Sequence, residues 1–118
     1  MQVPILKQGP YLIATLQSAL SDAELLDLRD ALAERVGKSR SRGVIVDVTV
    51  LDVMDSFAAR TLSAIANMLR LRGSDTVIVG IQPEVAMTMV ELGLKLDGVT
   101  TALDLEEGLA YFKRGISG

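Results

Sequence analysis

Val44-Ile45-Val46-Asp47-Val48 and, one short loop later, Asp55-Ser56-Phe57-Ala58-Ala59-Arg60 decide how this chain is built. The first stretch is dominated by β-branched residues, the pattern of a strand covered on both faces, as strands in the middle of a parallel sheet are. The second opens a helix over 56–71, with Ala58, Leu62, Ile65 and Leu69 at helical spacing and Gly73 just past its end. A buried strand feeding an amphipathic helix is the repeating unit of an α/β fold.

Working outward, the same unit recurs on both sides. Thr76-Val77-Ile78-Val79-Gly80-Ile81 repeats the buried-strand pattern, and Pro83 opens a third helix where its missing N–H costs nothing. Val85, Met89, Leu92 and Leu96 form that helix's stripe, which should end at Asp97-Gly98. A short strand over Thr100 to Leu103 leads to Asp104-Leu105-Glu106-Glu107, a capping arrangement, and a last helix carrying Leu109 and Phe112. Upstream, Ser21-Asp22-Ala23-Glu24 is a capping box before Leu25, Leu28, Leu32 and Val36, with Gly37 as the stop and Lys38 to Arg42 as a polar loop. Pro4 to Leu6 and Tyr11 to Leu16 read as a hairpin turned by Lys7-Gln8-Gly9-Pro10. The expected fold is α/β: one domain over all 118 residues, a mixed and mainly parallel sheet, an opening β-hairpin and about four helices.

Composition removes most chemistry. Hydrophobic residues are 49% and charged residues 23%, the balance of an ordered globular chain. A net charge of -3 with scattered Lys and Arg gives no basic stripe for a nucleic acid backbone. There is no cysteine and no histidine, so thiolate and imidazole ligands, the Ser-His-Asp triad and cysteine nucleophiles are all excluded. No glycine-rich phosphate loop or nucleophile elbow follows any strand. Neither an enzyme active site nor a cofactor or metal is expected. Met1-Gln2-Val3-Pro4 shows no signal-peptide character, and no apolar run reaches the roughly 18 residues of a membrane span, so a cytoplasmic protein is expected.

The chemistry that remains sits between the strand and the helix quoted first. In open α/β sheets, sites gather where strands deliver their C-terminal ends, and Asp47, Thr49, Asp52, Asp55 and Ser56 share one such connection. A serine there can be a helix cap or the acceptor of a phosphate. Asp55 caps equally well, which leaves Ser56 in the first turn with its hydroxyl free. Thr49 is a second candidate acceptor, and Asp47 is expected to fix the loop by accepting backbone hydrogen bonds. Asp47 as the acceptor aspartate of a receiver domain fits poorly, because the opening strands bring no acidic pair and no lysine closes the last strand. Met54, Met68, Met87 and Met89 read as packing residues, with partner contact as the other use of so adaptable a side chain.

Asp55-Ser56-Phe57 with its helix, Gly80-Ile81-Gln82-Pro83 followed by Val90-Glu91-Leu92-Gly93, and Thr101-Ala102-Leu103-Asp104-Leu105-Glu106 together resemble the STAS domain family of anti-sigma-factor antagonists, and within it the branch found in bacterial stressosomes. The resemblance implies a non-catalytic scaffold of the general stress response. It would assemble with itself and RsbR-like paralogues into a large particle, and sequester an RsbT-like switch kinase that phosphorylates Ser56 and is thereby released. An RsbX-like phosphatase would reset the site, and Asp47, Asp52, Asp55, Phe57 and Arg60 would border the kinase. Many STAS antagonists have a paired serine and a glycine after the aspartate, where this chain has Phe57 and Ala58 behind a single serine. The alternative is a small anti-anti-sigma factor that binds an anti-sigma kinase one to one.

Overall fold

The computed structural model describes residues 3–116. In chain order the elements are β1 (Ile5–Gln8), β2 (Tyr11–Thr15), α1 (Asp22–Ser39), β3 (Gly43–Asp47), α2 (Ser56–Leu71), β4 (Asp75–Val79), α3 (Pro83–Glu91), β5 (Thr100–Ala102) and α4 (Leu105–Ile116). They make one sheet in the order β1-β2-β3-β4-β5, antiparallel only between β1 and β2. The expected mixed sheet, opening hairpin and four helices are all present.

Alternation along the strands divides the interior in two. Leu12, Ala14, Val44, Val46 and Ile78 face α1, α2 and α3, where Leu28, Leu32, Val36, Leu62, Ile65, Leu69, Val85 and Met89 close the larger core. Tyr11, Ile13, Ile45, Val77 and Val79 face the other way and meet Phe112 of α4. Phe112 is fully buried and stacks on Tyr11 with ring centroids 5.0 Å apart. Its ring lies so close to Gly43 that a Cβ there would stand 2.5 Å from it. Among the described residues α4 is the one helix on this face, packed on β3, β4 and β5.

Several boundaries differ from the sequence reading, each for a physical reason. The hairpin turn is only Gly9-Pro10, with Lys7 and Gln8 paired to Leu12 and Tyr11. Helix α1 does not stop at Gly37 but runs to Ser39, and Arg40 makes the left-handed turn (φ 51°) usually given to glycine. The polar loop is therefore only Arg40 to Arg42. Helix α3 ends at Glu91 rather than near Asp97 because Gly93 (φ 68°) closes it: the Gly93 and Leu94 N–H groups donate to the Val90 and Met89 carbonyls at 3.1 and 2.8 Å. Leu92 is consequently exposed, while Leu96 packs on the core from the following loop. Leu103 lies beyond β5 and is exposed. Met54 and Met89 are buried and Met68 partly so, but Met87 is 65% exposed. In α2, the inward residues include Ala59, Thr61 and Ala66, while Ala58 is only half-buried.

Candidate functional site

The connection from β3 to α2 is built in three steps. Asp47 ends β3, and its Oδ1 accepts from both the backbone N–H (2.9 Å) and the hydroxyl of Thr49. This is the loop-fixing role expected of it. The Leu51 N–H then donates to the Val48 carbonyl at 3.0 Å and turns the chain. Leu51 and Met54 are buried, pinning the loop to the core, while Val50, Asp52 and Val53 are left outside.

Asp55 has extended backbone (φ -85°, ψ 177°) and its Oδ1 accepts from the Ala58 N–H at 2.8 Å, so Asp55 is the N-cap of α2. Ser56 is the first helical residue, exposed, and its hydroxyl makes no hydrogen bond among the described residues. Phe57 is half-buried. Arg60, one turn on from Ser56, is exposed and has no ion pair among the described residues. Asp52 is likewise unpaired. Asp52, Asp55 and Arg60 thus lie within four residues of a hydroxyl that has no partner among the described residues, at the positive end of a sixteen-residue helix.

A second connection, β4 to α3, holds the first in place. The Gln82 side-chain amide donates to the Thr49 carbonyl at 2.7 Å. Gly80 has φ 83° and lies against Thr49 so tightly that a Cβ there would stand 2.1 Å from the Thr49 Oγ1. Gly80 and Gln82 are the residues whose physical role the sequence alone did not reveal, although both fall inside the Gly80-Ile81-Gln82-Pro83 block quoted above. Thr49 is exposed, but its hydroxyl is engaged with Asp47 and packed on Gly80.

Beside Asp55, a dent of about 60 Å³ bordered by Leu20, Leu51, Val53 and Met54 falls far short of the roughly 300–1,000 Å³ of a small-molecule pocket. Among the described residues no cluster of acidic side chains could hold a metal ion, and no helix is long and apolar enough to cross a membrane. What the surface does offer a macromolecule is the exposed apolar pair Val50 and Val53 beside the acidic groups.

The STAS domain model matches residues 2–108. A serine-to-glutamate variant of RsbS from Moorella thermoacetica superposes with a TM-score of 0.83 at 32% identity, covering 100% of both chains. A chain from the stressosome, a signal integration and transduction hub, superposes at 0.76 with 31% identity, covering 98% of this chain and 100% of that one. The RsbT co-antagonist protein RsbRA of Bacillus subtilis is 34% identical over 82 residues, which are 70% of this chain but only 30% of RsbRA. This chain therefore spans less than a third of that longer relative. With its hairpin-led sheet, four helices and full-length likeness to RsbS, the chain belongs to the STAS domain family.

Proposed function

We propose that this chain is a non-catalytic stressosome scaffold and antagonist that sequesters an RsbT-like switch kinase and releases it when Ser56 is phosphorylated. The observation that carries this is the division of labour at the start of α2: Asp55 caps the helix, and Ser56 presents an unengaged hydroxyl. A kinase docks on Val50 and Val53 and reaches that hydroxyl. Phosphate adds a charge of about -1.5 to -2 beside Asp52 and Asp55. The helix N-terminus tolerates it, since exposed N–H groups and the dipole favour an anion there. The docked surface, fitted to a neutral hydroxyl, does not. Release follows from repulsion, with the domain unchanged.

Likeness to RsbS and to a stressosome chain supports self-association and assembly with RsbR-like paralogues, and the glutamate variant of RsbS places a negative charge where a serine stood. An RsbX-like phosphatase resets Ser56. Thr49 is a slower second acceptor, because its hydroxyl must first leave Asp47.

The test is incubation with an RsbT-like kinase and ATP, followed by peptide mass spectrometry and size analysis of the complex with an RsbR-like partner. Phosphate on Ser56, its loss in Ser56→Ala, kinase retention by that variant and weaker capture by Ser56→Asp are expected, within a megadalton-scale particle. Absence of phosphate from Ser56 would overturn the mechanism. Persistent small complexes would instead favour one-to-one binding of an anti-sigma kinase.

A further inference from the structure

The far end of α2 carries a second, unrelated concentration of charge. Leu71 is fifteen residue steps on from Ser56, so the two ends of α2 stand roughly 22 Å apart at about 1.5 Å per residue. There a cavity of about 260 Å³ is lined by Arg40, Ser41, Arg42 and Arg72 together with Gly37 and Gly73.

Arg40 is the one non-glycine among the described residues with positive φ (51°), a conformation in which glycine would sit without strain. Arg72 donates from Nη1 to the Ala33 carbonyl at 2.8 Å, and Gly37 leaves the space for it: a Cβ there would stand 2.8 Å from Nη2. Arg40 and Arg42 have no ion pair or side-chain hydrogen bond among the described residues. The nearby acids are engaged elsewhere, Glu34 with Lys38 at 3.3 Å and Asp75 with Arg70 at 3.8 Å. The C-terminal ends of α1 and α2 contribute about half a negative charge each, which leaves three guanidiniums well in excess. In the wall of the same cavity Ser41 is only 4% exposed, and its hydroxyl has no partner.

The geometry points to a binding site for a phosphate group, held by the forked donors of Arg40, Arg42 and Arg72. The group is either free phosphate or the terminal phosphates of a nucleotide. The site is independent of Ser56 and of the kinase mechanism proposed above.

The test is an NMR titration of the full chain at constant ionic strength with inorganic phosphate, with ATP, and with chloride. Saturable amide shifts confined to residues 37–43 and 72–75 are expected with phosphate and not with chloride. Tighter saturation by ATP assigns the site to a nucleotide, and equal saturation assigns it to free phosphate. Arg40→Gly should raise Tm by relieving the backbone while weakening phosphate at least tenfold. Arg42→Gln should weaken it as much with Tm unchanged, and Ser56→Ala should leave the titration as in wild type. Shifts that do not saturate, an equal response to chloride, or wild-type binding by both arginine variants would each overturn the assignment.

Discussion

Truncating Asp55 and Ser56 separately measures the division of labour on which the phosphorylation mechanism rests. Asp55→Ala removes the bond from the Ala58 N–H at 2.8 Å and leaves that donor to water. An N-cap of this kind is worth about 0.5–2 kcal/mol, typically about 1. Unfolding entropy near 2.1 cal/mol/K per residue, over 118 residues, gives roughly 0.25 kcal/mol per degree, so Tm should fall by about 4 °C. Ser56→Ala removes no hydrogen bond and substitutes a better helix former, so it should stay within about 0.5 kcal/mol of wild type. Ser56→Asp should also stay within about 0.5 kcal/mol, because the gain from the helix dipole offsets repulsion from Asp52 and Asp55. Thermal and urea unfolding followed by circular dichroism decide the matter. If Ser56→Ala costs as much as Asp55→Ala is expected to, while Asp55→Ala is silent, Ser56 is the cap and its hydroxyl is not free.

Gly80→Ala should destabilise by at least about 2 kcal/mol, combining left-handed backbone strain with overpacking against Thr49, and urea midpoints check it. Phe112→Ala should cost about 3–5 kcal/mol, measured the same way, because the ring fills the space over Gly43 and stacks on Tyr11. Glu24 is held below its ordinary value of 4.5, first by the Ser21 backbone N–H of the capping box. A lowered folded value means the stabilisation is full above the unfolded pKa and disappears as pH falls through the folded one, so the Tm advantage of wild type over Glu24→Gln should be present near about pH 7 and shrink below about pH 4.

Much of this fold was legible because local signals agreed with one another. The β-branched runs at Val44 to Val48 and Thr76 to Ile81 marked the central strands, and α2 was bounded correctly from Asp55 and Gly73, which are its N-cap and the left-handed residue after it. The errors came where two residues could each serve as a stop. Gly37 reads as a helix end, yet it is a clearing for the Arg72 guanidinium, and Arg40 takes the turn instead. Conversely, the real stop of α3 at Gly93 was read through, because Leu92 and Leu96 prolong the apolar spacing past it. At the candidate site, the hydrogen bonds of Asp47 and Asp55 are legible in the chain itself, because their partners lie within three residues. Gly80 and Gln82 were not, because their partner is Thr49, more than thirty residues away, and only tertiary structure brings them together.

That α4 is, among the described residues, the one helix on the far face of the sheet bears on the order in which the chain folds. Ile45, Val77 and Val79 precede Phe112 in the chain by 33 residues or more, so strands that pair before α4 docks present a bare apolar surface. At about 5–20 residues per second, synthesis of the ten residues from Leu103 to Phe112 alone takes roughly 0.5–2 s. Until α4 docks, that sheet face is open to any other apolar surface. Early docking of α4, or escort by a chaperone until it docks, is then a condition of clean folding.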